Sequence, residues 1–141
     1  MFQIIAKTTL VLIILTFGGI HLSETESKRS FKQDAGMSIK DYNAKTNNKE
    51  KLVFVYFHAD WCVPCIKLKA VMEEIEKDEK NKLIMMKLDV DENPQIATFF
   101  EINTLPQFML YKKGKAVWTH SGLLSKQEIE YQIDQWADKK D

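Results

Sequence analysis

Uninterrupted apolar runs separated by polar segments predict a set of short strands. The run from Leu52 to Phe57 is typical of a strand buried on both faces, and Lys82–Leu88 predicts a second buried strand. A third strand is predicted over Gln107–Tyr111. The turn at Lys113-Gly114 leads to a fourth over Ala116–His120, which indicates an antiparallel hairpin.

The segments between these runs have helical spacing. After Cys65, apolar residues recur every three or four positions, at Leu68, Val71, Met72 and Ile75. A capping box at Ser125 opens a last helix whose buried stripe is Ile129, Ile133 and Trp136. Shorter helices are predicted from Ser38 to about Lys45, and from an Asn93 N-cap and Pro94 to near Phe100. The order α-β-α-β-α-β-β-α predicts an α/β fold, with a mixed central β-sheet flanked by helices.

The N-terminal segment differs from the rest of the chain. An apolar stretch from Thr8 to Ile20 follows a single lysine, as in a secretory signal. It is shorter than the ~20 residues of a membrane span. We therefore predict that residues 1–22 are a signal peptide or an N-terminal membrane anchor, that residues 23–37 are a polar linker, and that residues 38–141 form one folded domain.

The charge of the chain is balanced, with 20 basic and 20 acidic side chains. This balance gives no support for a nucleic-acid partner, because such proteins carry a basic surface. The length suits one domain, which we expect to be a monomer.

The two cysteines of the chain lie in Trp61-Cys62-Val63-Pro64-Cys65, between a predicted strand and a predicted helix. A C-x-x-C pair in this position is typical of redox chemistry. Backbone amides and the dipole of the helix would stabilise a thiolate at Cys62, which is the reactive form of the side chain. Cys65 lies one turn further on and can reach the same sulfur, and Pro64 fits the first turn.

Other uses of a cysteine pair fit less well. Structural zinc needs four ligands, and His58 would add only one; haem attachment needs a histidine at position 66, which is Ile66. We therefore expect no metal, and no cofactor beyond a redox-active Cys62–Cys65 disulfide. A permanent structural disulfide remains an alternative, although it would close too small a loop to stabilise the fold much.

Several motifs in residues 52–137 have counterparts in one known family. The segments Ala59-Asp60-Trp61-Cys62 and Pro64-Cys65 look like an active-site signature. The segment Lys87–Asp91 looks like the following strand, and Thr104-Leu105-Pro106 looks like a segment that holds a cis-proline. On these motifs the chain resembles the thioredoxin family. The resemblance implies a thioredoxin fold for residues 38–141.

The resemblance also implies roles for individual residues. Cys62 would attack a substrate disulfide, and Cys65 would resolve the mixed disulfide. Pro106 would be cis, with the Leu105 backbone pairing with the substrate chain, and Trp61 would cover one side of the groove. Purely structural explanations remain open for Pro106, which can simply start a strand, and for Trp61, which can simply pack. Lys87 lies where the family often has a lysine near the site, but it can equally be a solvated lysine at the end of a strand.

The chain departs from the family near the cysteines. Tyr56 replaces a buried Asp, and His58 replaces an aromatic residue. A neutral Tyr56 would not repel a thiolate, so any positive field from Lys87 would act on Cys62 unopposed. Tyr56 would also be a poor acceptor for the proton of Cys65, which leaves Asp60 or water for that task.

Together these features predict an exported thiol–disulfide oxidoreductase that acts on protein thiols and disulfides. We expect it to work as a reductant in the periplasm, or membrane-anchored on the extracytoplasmic side, with a membrane electron donor. The alternatives are an exported disulfide oxidase or isomerase, and a non-catalytic binding module of the same fold. The intact cysteine pair argues against the last.

Overall fold

The computed structural model describes residues 36–139, which lie within the compact unit that spans residues 32–141. The predicted signal peptide or anchor, and nearly all of the predicted linker, lie outside the described residues. Within the described part, no helix is both long and apolar enough to cross a bilayer. The elements follow the predicted order, with helices α1 (Ile39–Thr46), α2 (Val63–Asp78), α3 (Pro94–Phe99) and α4 (Lys126–Ala137), and strands β1 (Leu52–His58), β2 (Leu83–Asp89), β3 (Gln107–Lys112) and β4 (Lys115–Ser121).

The four strands form one mixed sheet in the order β2-β1-β3-β4. β1 pairs in parallel with β2 and antiparallel with β3, and β3 and β4 form the predicted hairpin. Gly114, with a φ of +83°, occupies the turn of this hairpin in a conformation that favours glycine. The mixed sheet flanked by helices that the sequence predicts is therefore confirmed.

The sheet has an apolar core on each face because successive side chains of a strand point to opposite sides. On one face, Phe54, Tyr56 and Phe108 pack with residues of α2 and α4. On the other face, Val55 and Phe57 pack with residues of α1 and α3. The prediction that β1 is buried on both faces is confirmed.

β2 was predicted as a fully buried strand, and this is wrong. It is an edge strand in which buried residues are interspersed with half-buried and exposed ones, and Ile84 is 38% exposed. An edge strand has a neighbour on one side only, so part of its apolar run reaches solvent.

Two serines cap helices as predicted. The Ser38 side chain accepts the Asp41 N–H at the start of α1, and Ser125 forms a complete capping box with Glu128 at the start of α4. Asn93 stands at the N-cap of α3, but its side chain makes no capping bond. Instead it accepts the N–H of Met37 at 2.8 Å and donates to the carbonyl of Asp89 at 2.9 Å, so it holds the start of the domain against the end of β2.

Candidate active site

The cysteine pair lies where β1 leads into α2. Cys62 is the N-cap of α2, Cys65 is in its first turn, and the two form a disulfide with their Cα atoms 5.2 Å apart. Both side chains are only 4% exposed. The buried strand β1 fixes the start of this loop, and the amphipathic helix fixes its end. The sequence therefore places both sulfurs at the end of the sheet where β1 finishes.

The helix start surrounds Cys62 with backbone donors. The N–H of Cys65 points to the Cys62 sulfur at 3.2 Å, and the N–H of Ile66 donates to the Cys62 carbonyl at 3.0 Å. Pro64, in the first turn, has no N–H to satisfy. When the pair is reduced, the Cys65 N–H and the positive end of the helix dipole favour a thiolate on Cys62.

An apolar surface surrounds the buried sulfurs. Trp61, Val63 and Ile66 are 66%, 62% and 59% exposed. The Trp61 indole N–H donates to a carboxylate oxygen of Asp91 at 2.8 Å, which holds the ring toward the loop after β2. Sequence reasoning did not single out Asp91, although its position just after β2 puts it at the same end of the sheet as the cysteines.

Leu105 and Pro106 precede β3 at the same end of the sheet as the cysteines, because Phe57 near the end of β1 pairs with Gln107. The peptide bond between Leu105 and Pro106 is cis. Pro106 is buried, and its carbonyl accepts the N–H of Gly122 at 2.8 Å. The structure thus brings the two residues to the same end of the sheet as the cysteines.

A cavity of about 320 Å³ lies behind Cys65, between α2 and the sheet. Tyr56 lines this cavity and its hydroxyl donates to the Cys65 carbonyl at 3.3 Å. Burial raises the pKa of Tyr56 to about 12, so the phenol is neutral near pH 7. Asp60, which is exposed, and Lys87 line the same cavity.

The expectation that the charge of Lys87 acts unopposed is wrong. Its ammonium group lies 2.6 Å from a carboxylate oxygen of Glu76 on α2. A negative charge therefore lies beside that of Lys87 and opposes its field. Sequence reasoning missed Glu76, although it lies one residue past the buried Ile75 of the same helix.

A histidine and a carboxylate complete the surroundings of the cavity. His58 lines the cavity, and its Nδ1 lies 3.7 Å from Oδ2 of Asp89, the residue opposite His58 in the β1–β2 register.

Among residues 36–139 no group of three or more acidic, histidine or cysteine side chains is arranged to hold a metal ion.

Comparison with known proteins decides the family. The thioredoxin family model matches residues 35–135. The chain belongs to the thioredoxin family. It is 38% identical over 96 residues to a thioredoxin of Chlorobaculum thiosulfatiphilum. The alignment covers 68% of this chain and 89% of that protein.

Solved structures agree with this assignment. The oxidised thioredoxin of Plasmodium falciparum matches with a TM-score of 0.60 and 30% identity, over 71% of this chain and 93% of that one. A mutant thioredoxin of Halobacterium salinarum matches with a TM-score of 0.65 and 26% identity, over 74% of this chain and 90% of that one. With its cysteines paired at the start of α2, this thioredoxin-family protein is a thiol–disulfide oxidoreductase that acts on protein thiols and disulfides.

Proposed function

We propose that this protein reduces disulfides of exported proteins, with Cys62 as the attacking and Cys65 as the resolving cysteine. The observation that carries the proposal is the position of Cys62 as N-cap of α2, with the Cys65 N–H directed at its sulfur. The more reactive thiolate belongs at this position because amide and dipole both stabilise negative charge there.

The reaction takes two exchange steps. The Cys62 thiolate attacks one sulfur of the substrate disulfide, which forms a mixed disulfide and releases the other substrate sulfur as a thiolate. Cys65 then loses its proton and attacks the Cys62 sulfur, which forms the Cys62–Cys65 disulfide and releases the second substrate thiolate. Two electrons pass from the cysteine pair to the substrate, and the cysteines alone carry them without a further cofactor.

The exposed apolar surface of Trp61, Val63 and Ile66 suits a protein substrate. An extended substrate segment would lie between Trp61 and the Leu105 backbone. In that arrangement Trp61 and Leu105 would position the substrate disulfide for attack by Cys62.

The proposed location rests on the apolar stretch near the N-terminus. Residues 1–22 would export the chain, as a cleaved signal peptide or as a retained membrane anchor, and the domain would act as a monomer in the periplasm or an equivalent compartment. Cytosolic reductants do not reach that side of the membrane, so a membrane dithiol protein would return electrons to Cys62 and Cys65. The reducing direction is supported by the thioredoxins among its relatives.

Trapping of mixed disulfides tests the division of labour between the cysteines. In Cys65→Ser the attack is intact but resolution is lost, so substrates should accumulate on Cys62, where mass spectrometry can identify them. Cys62→Ser should form no such adducts and should not reduce insulin. Adducts on Cys65 in Cys62→Ser, with none on Cys62 in Cys65→Ser, would reverse the assignment. An intact parent protein that leaves insulin disulfides unreduced when a thiol recycles it would indicate a binding module.

A further inference from the structure

The second exchange step requires a proton acceptor. The Cys65 side chain is only 4% exposed, so its thiol proton cannot pass straight into bulk water. Tyr56 lies against the Cys65 carbonyl but is a poor acceptor, because its phenol is neutral and its hydroxyl already donates to that carbonyl. The cavity that Cys65 lines is the path by which this proton can reach water or another side chain.

This cavity can hold water and offers few acceptors. Its volume of about 320 Å³ compares with the ~30 Å³ that one water molecule occupies in the liquid. Besides Cys65, the titratable side chains that line it are Tyr56 and His58 of β1, Asp60 of the following loop, Lys69 and Glu73 of α2, and Lys87 of β2. Two carboxylates pair with these side chains: Asp89 with His58, and Glu76, which is 46% exposed, with Lys87. The two lysines are cations and cannot accept a proton.

His58 has the chemistry that the step needs. Histidine is the side chain type that takes up and releases protons near neutral pH, whereas carboxylates as a class do so under acidic conditions. Asp60 and Glu73 are also exposed to solvent, while His58 is 28% exposed. The imidazole ring packs against Tyr56, with ring centroids 5.2 Å apart, which keeps it beside the cavity.

Asp89 is placed to stabilise a protonated His58. Its Oδ2 faces Nδ1 of the imidazole at 3.7 Å. Its Oδ1 accepts the N–H groups of Asp91 at 2.8 Å and Glu92 at 3.3 Å, so the loop holds this carboxylate in position. With Asp89 on the Nδ1 side, Nε2 is the nitrogen left to take up a proton.

We propose that His58, supported by Asp89, accepts the thiol proton of Cys65 through water in this cavity during resolution of the mixed disulfide. The proposal rests on the proposed function and adds a residue to its second step. The Cys65 thiol gives its proton to His58, and the resulting thiolate attacks the Cys62 sulfur. The Cys62–Cys65 bond forms as the bond to the substrate sulfur breaks, and the substrate thiolate leaves with the electron pair. The imidazolium then releases its proton to solvent.

Single-turnover oxidation by a model disulfide peptide separates the two steps. At low peptide concentration the rate reports attack by Cys62, and at saturating concentration the plateau reports resolution by Cys65. In His58→Gln we expect the plateau at pH 7 to fall on the order of 10²-fold, with the attack rate little changed. The plateau of the parent should rise with pH as His58 becomes free to accept a proton, and that of the variant should lose this rise and increase only at more alkaline pH.

Matched variants make the result specific. His120→Gln removes a histidine whose ring stacks on Trp118 away from the cavity, and it should leave both rates as in the parent. In His58→Ala, added imidazole should restore part of the plateau rate. Asp89→Asn should lower the plateau less than loss of His58 does, because the acceptor itself remains.

Several outcomes would overturn the proposal. An unchanged plateau and pH profile in His58→Gln, or an equal loss in the attack and resolution rates, would show that His58 does not take the proton. A larger loss in Asp60→Asn or Glu73→Gln would assign the proton to a carboxylate. A parent protein that fails to oxidise with the peptide at all would instead contradict the proposed function.

Discussion

Tyr56 is the residue that most distinguishes the surroundings of this cysteine pair. It is buried, it pairs with Lys87 across the β1–β2 register, and its hydroxyl meets the Cys65 carbonyl. The phenol is neutral, and the charge of Lys87 is paired with that of Glu76. The thiolate of Cys62 is then stabilised mainly by the start of α2.

A charged residue at position 56 should make Cys62 less reactive. In Tyr56→Asp a buried carboxylate would face the sulfurs, and two like charges ~6 Å apart at an effective dielectric of ~20 repel by roughly 2–3 kcal/mol. We expect the pH midpoint for alkylation of Cys62 to rise by up to about two units. Tyr56→Phe, which adds no charge, is the control and should shift the midpoint far less. A midpoint that stays put or falls in Tyr56→Asp would mean that another charge controls the thiol.

At the scale of one element, the start of α4 shows how a local sequence signal fixes a helix. The Ser125 N–H donates to a Glu128 carboxylate oxygen at 2.8 Å, and the Glu128 N–H donates to the Ser125 hydroxyl oxygen at 3.3 Å. Bonds from the backbone and then the hydroxyl of Ser125 lower the pKa of Glu128. A lowered pKa means that this stabilisation is complete above the ordinary range of a carboxyl group, and that it is lost as the pH falls through the lowered value.

Removing the cap should destabilise the domain in a pH-dependent manner. Ser125→Ala should lower the free energy of unfolding by about 1 kcal/mol at pH 7, which thermal unfolding would show as a drop in Tm of roughly 4–8 °C. The difference from the parent should narrow in acid, once Glu128 is protonated in both proteins. Ser125→Asn retains a capping side chain and should stay close to the parent. A constant difference at every pH would mean that Glu128 takes no part.

Elements were predictable from sequence because their signals are local. The apolar run at β1, the helical spacing from Leu68 to Ile75 and the serine caps each act within a few residues. The cysteine pair was predictable for the same reason. Other features depend on which elements become neighbours in the fold. These are the pairing of Lys87 with Glu76, the bond from Trp61 to Asp91 and the exposed residues of β2. No local pattern carries that information.

At the scale of the molecule, one sheet with a core on each face holds every part of the site. β1 contributes Tyr56 and His58, β2 contributes Lys87 and Asp89, and the segment before β3 contributes Pro106. All of these residues meet at one end of the sheet because β1 and β2 are parallel and β3 runs the opposite way. The redox pair thus lies at this end of the sheet, between β1 and the first turn of α2.

The direction of electron flow is a property of the whole protein, since it depends on the stabilities of the oxidised and reduced forms. For a reductase we expect a potential near that of thioredoxin, about −270 mV, and far from the roughly −120 mV of a strong oxidant. Equilibration of the domain with defined ratios of reduced and oxidised glutathione would measure it. A value close to the oxidant limit would reverse the proposed direction and favour the oxidase.

The bond from the Met37 N–H to the Asn93 side chain has a consequence for encounter with partners. It fixes the point where the chain enters the domain beside the end of β2, the end of the sheet that carries Cys62. If residues 1–22 remain in the membrane, about 14 intervening residues can extend ~50 Å at most. Cys62 would then search a thin layer above the bilayer instead of the whole compartment. A membrane-embedded dithiol would be confined to the same layer, so even a weakly binding donor could keep the pair reduced.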